Sequence, residues 1–325
     1  MFMYDAYLLL GLGIAYLIFY LLKLKYLDIE KLMLSIALSG LVIIGMTLVK
    51  YFVKGFAQEI IYDRFGLLVN VNPNFLGLYL NMALPCAFFM ALSEKCVNSK
   101  KVLLYAVSIV YICVMVMTGS RGCLPGAILV IGYFVWRKRS LKVFLSNLIA
   151  SGTILIVFGS NLIERMVTPS VDGVAELGRI FLLKAAFKIL EANHYVFGIG
   201  MNSFALAKFD YGCPRWLPAP VPTETMSSHN VFMEVWVGWG ILGLFGWLIF
   251  NGAVLHAIFL NRKKSVYKNN VYAYAVAFAM ISFLIYGLVD SNIGNFSMMF
   301  TYFTLVGIAF FIESENTAKL SVNGG

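Results

Sequence analysis

The chain has 325 residues, of which 61% are hydrophobic and only 13% charged, with a mean hydropathy of +0.84. Soluble domains carry about 25% charged residues, and disordered chains carry more charge and fewer aromatics, so the composition points to an integral membrane protein. Five cysteines without C-x-x-C spacing, and no H-E-x-x-H, give no disulfide framework and no metal-ligand motif; no metal and no cofactor is expected. The net charge of +9 needs reading by topology before any nucleic-acid partner is invoked, because cytoplasmic loops collect Lys and Arg.

A helix needs about 20 mainly apolar residues to cross roughly 30 Å of hydrocarbon. Nine stretches qualify, at 6–22, 32–49, 75–92, 102–117, 123–136, 143–160, 235–260, 271–289 and 297–312. The first comes after Met-Phe-Met-Tyr-Asp, without a basic leader or small-residue cleavage site, and reads as a retained helix. None of the runs alternates as a transmembrane β-strand would. The expected fold is an all-α polytopic transmembrane bundle of about nine spans, one integral membrane domain over residues 1–325.

Assigning alternate loops to the cytoplasm gathers on one side Lys23, Lys25, Lys31, Lys95, Lys100, Lys101, Arg137, Lys138, Arg139, Lys142, Arg262, Lys263, Lys264, Lys268 and Lys319. Against Asp28, Glu30, Glu94, Glu313 and Glu315 this side carries +10, so the whole-chain charge of +9 leaves the other side near neutral. The positive-inside rule then places the N-terminus outside and the C-terminus inside, and the basicity requires no nucleic acid. Residues 50–74, the turn near 121, residues 161–228 and the turn 290–296 face the extracytoplasmic side. Connections usually run about 4–6 residues, so the 161–228 loop is the expected working part.

Within that loop, residues 177–191 read as an amphipathic helix near the membrane surface. At about 100° per residue, Lys188 and Glu191 fall close to Lys184, while Arg179 lies about 140° away, toward the apolar side. Arg179 there either snorkels to headgroups or offers its planar fork to a phosphate. In residues 193–204, Gly198 and Gly200 allow a tight turn, and Asn202 and Ser203 can cap the segment after them. Four prolines, Pro214, Pro218, Pro220 and Pro222, make a stiff segment that suits either a lid or a spacer.

Ser227-Ser228-His229-Asn230 opens the seventh span. Ser228 is the expected N-cap, placing His229 in the first turn, where the helix dipole favours a neutral ring and attracts phosphate. His194 and His256, one in the loop and one near the inner end of a span, have less to recommend them. Glu234 faces the same way as Asn230, and a carboxylate at the membrane edge marks a functional site or ion pair. Gly238, Gly240, Gly243 and Gly246 read as close helix packing. Asn70-Val-Asn72-Pro-Asn74 starts the third span with three amides, Asn74 among them a candidate sugar ligand. Thr118-Gly119-Ser120-Arg121-Gly122 is a glycine-flanked turn that forms either an anion cradle around Arg121 or a simple headgroup-binding turn.

Thr-Gly-Ser-Arg-Gly after one span, Gly-Arg near the start of the outer-loop helix, Phe-Gly-Ile-Gly-Met-Asn-Ser-Phe, and Ser-His-Asn-Val-Phe-Met-Glu-Val-Trp-Val-Gly-Trp-Gly together resemble the O-antigen ligase and O-antigen polymerase superfamily, from about Asn72 to about residue 310. Two spans precede the Asn-Pro-Asn region, where family members usually carry several more. The resemblance implies a GT-C-like, metal-independent glycosyltransferase of the bacterial inner membrane whose donor is a glycan on undecaprenyl diphosphate. It implies that Arg121 and Arg179 bind the diphosphate and that His229 activates the acceptor hydroxyl, with Glu234, Asn230, Asn202 and Asn74 as secondary candidates. The acceptor is a glycan or lipid-linked glycan: lipopolysaccharide core or another envelope acceptor for a ligase, a second repeat unit for a polymerase. Two other classes fit less well. A transporter needs mid-span charges or broken repeats, and an intramembrane protease built on Ser120 and His229 lacks the Gly-x-Ser-x-Gly elbow.

Overall fold

A computed structural model describes residues 3–53, 73–93, 96–138, 174–215, 227–259, 271–291, 293 and 295–323, and these contain helices and turns but no strand. In chain order they form α1 (Met3–Lys23), α2 (Ile29–Val53), α3 (Pro73–Ala91), α4 (Asn98–Met117), a 3₁₀ turn (Arg121–Cys123), α5 (Leu124–Lys138), α6 (Val174–Ile189) running into a π turn (Leu190–His194), the short α7 (Phe204–Ala207), α8 (Val231–Phe259), α9 (Val271–Tyr286) and α10 (Phe296–Asn323). Eight of the nine expected spans coincide with α1–α5 and α8–α10; the ninth, 143–160, lies outside the described residues. Six of these helices are long and apolar enough to cross a membrane, and α5 and α9 supply shorter apolar helices.

Helix starts reflect local chemistry. Asp28 Oδ1 accepts the Lys31 backbone N–H at 2.9 Å and caps α2. Pro73 takes the first position of α3, where its missing N–H costs nothing. The centre of the bundle is α3: 83% of its apolar window is buried, against 17% for α1. Around it pack α2, α4, α5 and α9, while α1 and α10 form a second pair joined to the rest through α9 and α8.

Small residues bring the axes close, as expected where lipid supplies no hydrophobic drive between helices. A Cβ on Gly40 of α2 would lie 2.7–2.8 Å from Leu80 of α3 and Tyr111 of α4, and the Tyr111 hydroxyl donates across to the Ala37 carbonyl at 2.6 Å. Gly307 of α10 likewise approaches Ala15 of α1, where a Cβ would come within 2.5 Å of the Ala15 carbonyl oxygen. The start of α3, the α4–α5 turn, the start of α8 and the end of α9 meet at one end of the bundle through direct hydrogen bonds.

Candidate functional site

The start of α8 and the end of α9 satisfy each other's backbone. The first N–H groups of a helix and the last C=O groups of another have no intrahelical partners; here the Val231 N–H donates to the Gly287 carbonyl at 2.7 Å. Asn230 completes the join. Its Oδ1 accepts the Met233 N–H at 3.0 Å, and its Nδ2 donates to the Leu288 carbonyl at 3.0 Å. Asn230 is therefore the N-cap of α8, which corrects the expectation that Ser228 caps and His229 lies in the first turn. The dipole argument for His229 falls with that placement, because the residue precedes the cap.

His229 is instead held in a left-handed conformation, φ +51, which costs a non-glycine residue on the order of 1–3 kcal/mol. The surrounding bonds fix it. Buried Glu234 reaches back to accept the Ser228 N–H at 2.8 Å, and the Ser228 hydroxyl donates to the Asn230 carbonyl at 2.9 Å. Glu234 thus folds the backbone ahead of His229 and makes no bond to the ring.

The ring's partner is Asp290, just past the end of α9. His229 Nδ1 lies 2.9 Å from Asp290 Oδ1, with the His side chain 24% exposed and the Asp side chain 7%. Asp290 is further fixed by the Ser291 N–H to Oδ1 at 2.9 Å and by Asn74 Nδ2 to Oδ2 at 3.0 Å. A carboxylate surrounded by donors accepts, so Nδ1 donates to Asp290 and Nε2 is the ring nitrogen left for another partner. Sequence reasoning passes over Asp290, although it carries the signal that marks Glu234: a lone carboxylate where an apolar span meets a polar turn.

The Arg121 turn rests on the same frame. Thr118 Oγ1 accepts the Ser120 N–H at 3.2 Å, and Gly122 packs so tightly on α9 that a Cβ would lie 2.5 Å from Val289 Cγ2 and 3.0 Å from the Tyr286 ring. The Tyr286 hydroxyl donates to the Asn74 carbonyl at 2.9 Å and lies 3.3 Å from Ser120 Oγ. The backbone of Arg121 is therefore brought to the end of the bundle that holds His229; its side chain, like Asn70 and Asn72, lies outside the described residues.

Arg179 is placed by a second, smaller core. Leu182, Ala185, Ala186 and Ile189 of α6 bury with Leu190, Phe204 and Cys213 against Met233 and Val237 of α8. Arg179 itself is exposed and precedes Leu182, the first residue of the buried stripe, by three positions. Ser203 occupies the position before α7 without a side-chain capping bond, and Asn202 takes φ +64 rather than capping. Of the four prolines, Pro218, Pro220 and Pro222 lie outside the described residues.

The glycine motif of this loop splices into α8. At Gly240 the backbone leaves the helix, with φ 71 and ψ −172, a region open essentially to glycine alone. The exposed backbone groups are met by the loop: the Ile199 N–H donates to Val237 O, the Gly200 N–H to Gly238 O, and the Ile241 N–H to Tyr195 O, each at 2.8 Å. Gly238 and Gly240 thus admit a loop rather than a neighbouring helix, since a Cβ on Gly240 would lie 1.9 Å from the Val196 carbonyl oxygen. The splice fixes the 195–200 segment, and with it α6, against α8.

Among the described residues, no group of three or more His, Cys, Asp or Glu side chains is arranged to hold a metal. The arrangement offers a histidine oriented by a carboxylate, a glycine-flanked arginine turn tied to the same carboxylate, and an exposed arginine on a helix packed beside them. No curated protein matches the chain. Residues 106–248, from α4 through the Arg121 turn, Arg179 and His229 into α8, match the family model described as O-antigen ligase, which supports a function connected with cell-envelope polysaccharide. Over this stretch the chain is O-antigen ligase-like.

Proposed function

We propose that the protein is an inverting, metal-independent glycosyltransferase of the bacterial inner membrane, acting on its extracytoplasmic face. It transfers a glycan from undecaprenyl diphosphate to an acceptor hydroxyl. The observation that carries the reading is the His229–Asp290 pair, 2.9 Å apart and open to an incoming group mainly on the histidine side.

The acceptor hydroxyl gives its proton to His229 Nε2 while its oxygen attacks the anomeric carbon from the face opposite the diphosphate. The bond from that carbon to the diphosphate oxygen breaks, and the electron pair leaves with the diphosphate. Arg121 and Arg179 stabilise the charge that develops there. Asp290 keeps the proton on Nδ1 and stabilises the imidazolium formed. One displacement inverts the anomeric configuration. Asn74 and Glu234, two of the four secondary candidates, act by holding Asp290 and the His229 backbone, in support of the chemistry and not in it.

A ligase is the first reading, with a repeat-unit polymerase using the same donor as the alternative. The length distribution of undecaprenyl-linked glycan in cells with and without the protein separates them. A ligase leaves full-length lipid-linked polymer untransferred when absent, and a polymerase leaves single repeat units. An unchanged lipid-linked pool contradicts both and turns attention to lipid-glycan transport.

A further inference from the structure

We infer that Tyr286 is a positioning residue whose hydroxyl holds the Arg121 turn in fixed relation to the His229–Asp290 pair. The inference rests on the transfer reaction proposed above, and concerns how its two halves are kept in register. The cation and the base stand on different elements, the α4–α5 turn and the start of α8. In a single displacement they work on opposite sides of one carbon, and a misplacement of about 1 Å can cost on the order of 10²-fold in rate.

Tyr286 is the last residue of α9 and is 1% exposed, so it acts through its neighbours and not on substrate. Its hydroxyl donates to the Asn74 carbonyl at 2.9 Å. With that proton committed, the 3.3 Å contact to Ser120 Oγ has Ser120 as donor. The Asn74 amide donates in turn to Asp290, whose other oxygen receives His229 Nδ1 and the Ser291 N–H. Every donor in this path has an acceptor, and the path from the residue beside Arg121 to the histidine ring passes through one phenol. The aromatic ring supports the same turn by packing, since Gly122 sits directly against it. Phenylalanine at 286 therefore keeps the packing and removes only the tie.

The test is steady-state transfer by purified protein in vesicles, with a glycan on polyprenyl diphosphate as donor, for Tyr286→Phe alone and combined with Arg121→Lys or Asp290→Asn. Loss of one buried hydrogen bond in the frame is expected to lower kcat about tenfold with the donor KM within about twofold. In either double variant the added loss from Tyr286→Phe is expected to shrink to under about threefold, since residues acting as one unit do not add. Ser120→Ala, which cuts the tie from its other side, gives a smaller kcat loss of the same kind and serves if Tyr286→Phe fails to accumulate. Full additivity in both double variants, or an unchanged kcat in Tyr286→Phe, overturns the inference. If Arg121→Lys and Asp290→Asn alone retain wild-type transfer, the reaction assignment itself fails and the inference goes with it.

Discussion

Replacing Gly240 by alanine tests how the long loop is attached to the bundle. The residue stands at φ 71 and ψ −172, and its added Cβ would lie 1.9 Å from the Val196 carbonyl oxygen, a backbone atom that cannot swing aside. Two responses are open. The backbone can keep its conformation at a strain on the order of 1–3 kcal/mol and push the loop away, or α8 can straighten and expel the loop. Either way the three 2.8 Å bonds between residues 195–200 and α8 are lost, and at about 0.5–1.5 kcal/mol each the local cost reaches several kcal/mol. The loss is local: α6, the π turn and α7 come free of Met233 and Val237, while the α2–α3–α4–α9 core keeps its contacts. Hydrogen exchange of residues 195–215 in detergent-solubilised protein is expected to accelerate by at least about 10²-fold, with glycan transfer lost as Arg179 is released. Gly246→Ala is the control, since a Cβ there meets nothing within 4 Å and alanine is the better helix former. Unchanged exchange across 195–215 in Gly240→Ala would refute the splice.

Three further outcomes rest on particular contacts. Gly126→Ala sets a Cβ 2.5 Å from the buried Asn81 amide and is expected to lower the melting temperature measurably, with Asn81→Ala in the same chain restoring most of the loss; a double variant no better than the single one contradicts the close approach. Cys213 is 4% exposed in the loop core, and burial pushes its thiol up, outweighing the opposite pull of Lys208. Alkylation at neutral pH is therefore expected to be slow in wild type and fast in Gly240→Ala, measured by mass spectrometry; equal rates would deny that the loop core is closed. Arg179→Ala is expected to lower transfer by at least about 10²-fold without affecting accumulation, because the side chain is exposed and outside the buried stripe; full activity removes it from the mechanism.

The apolar helices are legible because length and hydropathy are what a bilayer demands: each of the eight described stretches falls on a helix, and six of those helices are long and apolar enough to cross a membrane. The histidine and the two arginines stand out for the same kind of reason, being costly groups at the polar ends of apolar runs. Contacts distant in sequence set the features that stay hidden. Asp290 lies 61 residues from His229, and no local pattern announces that pairing. The sequence does not decide between Ser228 and Asn230 as cap because both are good capping residues, and the choice is made by the Leu288 carbonyl that binds the Asn230 amide. Gly238 and Gly240 read as helix packing since glycine permits any close approach; only the complementary groups of residues 195–200 turn that permission into a splice.

The central claim is that His229, oriented by Asp290, takes the proton of the acceptor hydroxyl. The most direct measurement is glycan transfer from a polyprenyl diphosphate donor by purified protein in vesicles, comparing wild type with His229→Ala and Asp290→Asn at matched protein levels. The account predicts no detectable transfer with His229→Ala and a loss of at least about 10²-fold in kcat with Asp290→Asn, with donor binding retained in both. Wild-type turnover in His229→Ala would contradict it.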